Sequence, residues 1–166
     1  MKSDLSRETQ TAPASNQPEA EPFSESAQRA MAARLARGVG RFFEDLGHAC
    51  LTEVSLANGR RADVMALDGK GRIAVIEIKS CLADFRSDGK WHEYREFCDA
   101  LYFGVAAEFP REVLPEDCGV IVADAYGAAI ERAAAAHPLN PARRRAVTLR
   151  FAQAAARRLS ASLDPR

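Results

Sequence analysis

Three apolar runs near the middle of the chain are separated by turn-forming residues, and this spacing constrains the fold more than any other feature. CLTEVSL (50–56) alternates like a strand and leads into Ala57-Asn58-Gly59-Arg60, whose Asn-Gly pair marks a hairpin. RADVMAL (61–67) and RIAVIEIKS (72–80) read as two further strands joined by Asp68-Gly69-Lys70-Gly71. The spacing predicts a three-stranded antiparallel meander. Its third strand is apolar except for Glu77 and Lys79, residue types rarely buried unless paired or functional.

The flanking sequence supplies the other layers. Ala30, Met31, Leu35, Val39, Phe42, Phe43 and Leu46 recur at three- and four-residue spacing, which predicts an amphipathic helix starting at Ser26. A loop and helix are expected over 81–99, with Trp91, Tyr94, Cys98 and Leu101 along one face. LYFGVAA (101–107) and CGVIVADA (118–125) have the short apolar form of buried strands, and Asn140-Pro141 opens a last helix over about 142–159. The order predicts an α/β fold with a mixed central sheet flanked by helices.

A chain of 166 residues, 47% hydrophobic, fits one domain with a real core. Residues 1–25 are rich in Ser, Thr, Pro, Glu and Gln and lack aliphatic anchors, so a disordered tail is expected there. The domain is then 26–160, with 161–166 as a short C-terminal tail. Lys plus Arg and Asp plus Glu both number 23, so bulk charge neither demands nor excludes nucleic acid. Its distribution is uneven: residues 141–166 hold seven arginines against one acid, Asp164. Four cysteines without a C-x-x-C pair fit reduced thiols. No apolar h-region lies near Met1 and no apolar run of about 20 residues is present, so a cytoplasmic protein away from membranes is expected.

Parity connects the charges of the third strand to the second. Side chains alternate across a strand, so Glu77 and Lys79 share a face. A two- or four-residue loop turns Asp63 away from Glu77; a three-residue loop, Gly69-Lys70-Gly71, makes paired positions sum to 140 and sets Asp63 opposite Glu77. Gly71 suits the left-handed third position of such a loop, so the turn favours the second register. Facing carboxylates repel, and a cation between them relieves the repulsion. Mg²⁺ is held by one or two carboxylates plus water and phosphate oxygens, and a lysine nearby stabilises charge on a phosphate. The set is suited to phosphodiester hydrolysis. The plainer alternative is structural: Glu77 paired with Lys79, and Asp63 with Arg61.

The pattern R-A-D-V … V-I-E-I-K-S, after a helix and a first strand, resembles the PD-(D/E)xK nuclease superfamily. LTEVSLANGRRADV, EIKSCLADFRSDGKWHEYREFCDALYFGVA and LPEDCGVIVADAYGA are similar to the MmcB-type DNA repair proteins over about residues 28–158. The resemblance implies a restriction-endonuclease-like αβββαβ core, a role in DNA repair and a Mg²⁺- or Mn²⁺-dependent endonuclease-like site. By position, Asp63 and Glu77 would be the metal ligands and Lys79 the catalytic lysine. Ala62 stands where the superfamily name has proline.

Either Glu44 on the first helix or Glu53 on the first strand is expected to supply a further carboxylate. A two-residue Asn58-Gly59 turn faces Glu53 away from Asp63 and favours Glu44; a bulge reverses the choice. Arg61, Arg86, Lys90, Trp91 and Tyr94, with Asp84, lie around the mouth of the expected site, where basic and aromatic residues suit phosphate contact and base stacking. For Trp91 and Tyr94 the competing role is packing on the sheet. The arginine-rich last helix is either a phosphate-binding face or a solvated one. The three histidines are not spaced as a metal set, and no Ser-His-Asp, Cys-His or Gly-rich phosphate motif is present. The expectation is a DNA endonuclease, with a catalytically weak DNA- or partner-binding module as its rival and a homodimer or repair protein as candidate partner.

Overall fold

The computed structural model describes residues 24–165, so the expected tail lies largely outside the described residues. Ser24 caps the first helix, its hydroxyl accepting from the Ala27 N–H, and α1 runs Glu25–Asp45. Leu35, Val39 and Phe43, four residues apart, form its buried stripe. Leu46 falls just past the helix and is 56% exposed, so it leaves the expected apolar face.

The meander follows as β1 (Ala49–Ser55), β2 (Arg61–Leu67) and β3 (Ile73–Lys79), then α2 (Leu82–Ser87), β4 (Ala100–Val105), β5 (Gly119–Ala123), β6 (Ala128–Arg132) and α3 (Pro141–Leu163). All six strands join one sheet in chain order. β1, β2 and β3 are antiparallel, β3 to β4 and β4 to β5 are parallel, and β6 returns antiparallel. α1 covers one face over Val64, Ile76, Ile78 and Ile121. The other face packs Met65, Val75, Phe103 and Val120 under Tyr94, Phe97 and the Val147 and Phe151 of α3. The product is a mixed α/β sandwich with the sheet between helices. Among the described residues, no helix is long and apolar enough to cross a membrane.

Three expectations change. The helix foreseen over 81–99 is a short α2 followed by a 3₁₀ helix, Trp91–Phe97, because Asp88-Gly89 interrupts the pattern and Cys98 is already extended. β6 carried no signal: AAIER is alanine-rich, sits at the sheet edge and has no buried residue. α3 extends to Leu163, taking in residues assigned to the C-terminal tail, and of its apolar positions Val147 and Phe151 are buried whereas Leu149 and Leu159 are exposed.

Asp99 ties the layers together at the start of β4. Its carboxylate accepts from the backbone N–H groups of Ile73 and Leu139 and from both terminal nitrogens of Arg144 on α3, at 2.6 to 3.0 Å. On the opposite face α1 approaches the β5–β6 turn so closely that a Cβ on Gly38 would sit 2.0 Å from the Asp124 carbonyl oxygen and 2.6 Å from that of Gly127. Both obstacles are backbone. Gly38→Ala is therefore expected to force α1 off the sheet and cost about 1–3 kcal/mol, read as a fall of several degrees in Tm; an unchanged Tm would show that α1 does not dock as described.

Candidate active site

The turn between β2 and β3 sets the register of the site. Asp68 donates its N–H to the Arg72 carbonyl and accepts from Gly71 N–H, both at 3.0 Å, and Gly71 has φ +77°. The loop is thus the three-residue Gly69-Lys70-Gly71 with a left-handed glycine, a conformation that costs glycine little. Pairs Leu67–Ile73, Ala66–Ala74, Met65–Val75 and Val64–Ile76 all sum to 140; the recorded pairing ends there, and extending the same sum by one position puts Asp63 across from Glu77. Here an Asp63 carboxylate oxygen accepts from Ile78 N–H at 2.8 Å.

Glu77 and Lys79 are buried at the carboxyl end of β3, 6% and 3% exposed, on the strand where antiparallel pairing gives way to parallel. The Lys79 ammonium donates to a Glu77 oxygen at 3.3 Å and to Asp88 at 2.6 Å. The other Glu77 oxygen, Oε2, is buried and makes no hydrogen bond among the described residues, although the Tyr94 hydroxyl lies close by. Such orphaned oxygens are rare and costly in folded proteins. Asp63, Glu77 and Lys79, with Ser80, Asp84 and the α1 residues Gln28 and Arg29, line a cleft of about 460 Å³.

Burial, and then the Asp63 carboxylate, push Glu77 up to about 8; burial also raises Asp63 to about 6 against the opposing Ile78 N–H and Lys79. The two titrate as a pair, and both move in the direction that favours a shared proton or a bound cation. Burial disfavours the charged form of Lys79, but Glu77 and Asp88 outweigh it and hold its pKa above the ordinary lysine value.

The remaining expected residues are placed unevenly. Arg61 pairs with Glu53 rather than with Asp63, which removes half of the purely structural alternative. The β1–β2 loop is also three residues long, with Gly59 at φ +81°, and pairs summing to 116 set Glu53 opposite Asp63. Glu53 itself has φ +52°, and alternation slips there: Leu51 and Val54, and Ala62 and Met65, pack into the same core at a spacing of three. Its side chain is half-exposed and held by Arg61, near Asp63 but outside the cleft lining. Glu44 is not brought to the site. It lies exposed near the far end of α1, about 24 Å along the axis from Gln28 at 1.5 Å per residue.

Tyr94 is buried with its hydroxyl on the Arg61 carbonyl, and Trp91 packs edge-on against Phe103 beneath Arg95. Both rings take the packing role, the one of the two foreseen for them that needs no DNA. Arg86 and Lys90 are exposed. Sequence reasoning missed Asp88 and Gln28. Neither carries a signal in the sequence, since Gln28 lies outside the apolar stripe of α1 and Asp88 in the turn after α2.

A family model described as "DNA repair protein MmcB-like" matches residues 19–166. The chain belongs to this family. Membership brings a role in DNA repair with it. Among solved structures, the chain is similar to the "SPO1766 protein of unknown function" from Silicibacter pomeroyi, at 48% identity and a TM-score of 0.79 over 81% of this chain and 92% of that one. That likeness carries the fold and names no reaction. No curated protein matches the chain.

Among the described residues, no three His, Cys, Asp or Glu side chains gather in a ready-made metal cage. Two facing carboxylates, one with an orphaned buried oxygen, nevertheless fit a hard cation that takes its other ligands from water and phosphate. This pair makes stability depend on pH. Unfolded, the two carboxyls titrate at ordinary values; folded, they hold protons up to about 6 and about 8. The stability they favour is complete below the unfolded values and is lost as pH rises through the folded ones. The Tm of metal-free protein is expected to fall between about pH 5 and about pH 8, and millimolar Mg²⁺ or Mn²⁺ to raise it more at the higher pH. In Asp63→Asn/Glu77→Gln both effects should shrink; equal slopes in wild type and variant would refute the assignment.

Proposed function

We propose that the protein is a DNA nuclease of the PD-(D/E)xK type with a restriction-endonuclease-like core, hydrolysing phosphodiester bonds with Mg²⁺ or Mn²⁺ during repair. The observation that carries this reading is the buried, unpartnered Glu77 oxygen, next to Lys79 and on the strand position opposite Asp63. The chain order of α1, three antiparallel strands, α2 and β4 supports the core.

Asp63 and Glu77 would hold the cation, which when bound polarises a phosphoryl oxygen and acidifies a coordinated water. Lys79 keeps its proton at neutral pH, so it acts as a fixed positive charge and hydrogen-bond donor, not as a general base. From its buried position it orients the attacking water and stabilises negative charge developing on the phosphate. Asp88 holds the ammonium in place, and the exposed Arg86 and Lys90 grip the DNA backbone.

One observation favours a second reading. The shortest partner of Lys79 is Asp88, at 2.6 Å, which engages the ammonium that catalysis would use. On this reading the domain is a catalytically weak nuclease-fold module that binds damaged DNA or a repair partner.

The two separate in one assay with plain, nicked, branched and single-stranded DNA in Mg²⁺ or Mn²⁺. Hydrolysis is expected, with Asp63→Asn and Lys79→Met each lowering the rate about 10²- to 10³-fold, the usual loss when a transition-state charge stabiliser is removed. Salt-sensitive DNA binding should survive in both variants. Binding without cleavage on every substrate would transfer the function to the second reading.

A further inference from the structure

A second cavity, of about 450 Å³, opens beside the acidic cleft. Ala27, Ala30 and Met31 of α1 face Leu82 of α2 and Phe109 and Pro110 beyond β4 across it. Gln28 and Ser80 line both cavities, so the two are neighbours along one wall. Polar side chains in the lining are confined to Gln28, Arg34, Ser80 and Glu108.

We propose that this cavity receives the base and sugar of the nucleotide next to the phosphodiester held in the cleft, taken from single-stranded DNA or rotated out of a duplex. The proposal rests on the phosphodiester reading of the cleft. A nucleobase has apolar faces and a polar edge, which matches apolar walls with polar groups among them. A phosphate would lose its hydration against those walls. The volume lies within the range of small-molecule sites. Continuity with the cleft supplies the geometry: with the phosphate beside Asp63, Glu77 and Lys79, the adjoining sugar and base have the shared wall of Gln28 and Ser80 to follow.

Gln28 is placed to read that base. Among the described residues its side chain makes one weak contact, from Nε2 to the Cys81 sulfur at 3.9 Å. A carboxamide offers a donor and an acceptor side by side, the pair that recognises a base edge. Extracting a base costs least where stacking is already broken, in single-stranded, mismatched or damaged DNA. The cavity thus gives the site a preference for such DNA without a separate recognition domain.

The test uses the full chain with Ca²⁺ in place of Mg²⁺ and oligonucleotides carrying 2-aminopurine, whose emission rises on unstacking. Saturating protein is expected to raise emission several-fold in duplexes with a mismatch beside the probe. Ala27→Leu and Ala30→Phe, which fill the cavity from α1, should abolish the rise and weaken single-strand binding about tenfold, with melting curves confirming that both fold. Binding at saturation without a change in emission overturns the proposal, as does a rise that survives both variants. Protection of Ala30→Cys from a maleimide in DNA-free protein would mean that another protein segment fills the cavity, and also overturns it. Cleavage in the Mg²⁺ assay with no rise in Ca²⁺ removes the base site and leaves the nuclease reading; a rise in Ca²⁺ with no cleavage in Mg²⁺ or Mn²⁺ removes the nuclease reading and leaves the base site.

Discussion

Lys79 keeps an ammonium at 3% exposure, where removing a charge from water costs several kcal/mol unless partners replace the hydration. Glu77 and Asp88 replace part of it. Yet Asp63, Glu77 and Asp88 can together carry three negative charges around the one buried ammonium. The fold has two ways to balance them. Protons can stay on Asp63 and Glu77, which is what their raised pKa values express, and the second Glu77 oxygen then still lacks a partner. A divalent cation removes the repulsion and gives that oxygen a ligand role at once. The same crowding of carboxylates that raises their pKa values is what a cation, on the proposed reading, would relieve.

That arrangement depends on backbone geometry. Two three-residue loops, each ending in a left-handed glycine, fix the pairing of β1 with β2 and of β2 with β3. Shifting the second register by one residue would turn Asp63 to the opposite face and leave Glu77 and Lys79 alone. In β1 the alternation slips at Glu53, and Arg158 of α3 donates to the carbonyls of Thr52 and Glu53 at 2.6 and 2.8 Å. The distorted edge of the sheet is thereby tied to the layer below it.

The meander and its facing carboxylates were legible because each rests on short-range chemistry: turn glycines, period-two alternation and one loop length. The β1–β2 loop shows where such reading stops. Asn58-Gly59 invited a two-residue turn, but Leu56 and Arg60 pair across a longer loop, and the expected order of preference between Glu44 and Glu53 followed the wrong length. Asp88 and Gln28 were hidden for another reason. Each reaches the site through tertiary placement of α2 and α1, which leaves no periodic trace. β6 went unseen because an alanine-rich edge strand buries little, and burial is what writes a pattern into sequence.

The arginines of α3 show how far charge counting goes. Of the six in the helix, Arg144 serves Asp99, Arg143 serves Glu96 and lies over the Phe97 ring, and Arg158 holds β1. These three are occupied by the fold itself, in contacts that fix the sheet whether or not DNA is bound. Arg145, Arg150 and Arg157 are exposed and enter none of the ion pairs among the described residues. A basic helix that looked like one phosphate-binding face is thus half scaffold, and only its outer arginines are available to a nucleic-acid backbone. On the proposed reading, grip and chemistry therefore draw on different residues: the outer arginines with Arg86 and Lys90 would supply salt-sensitive attraction, while Lys79, buried among carboxylates, would act only on a phosphate that has already entered the cleft.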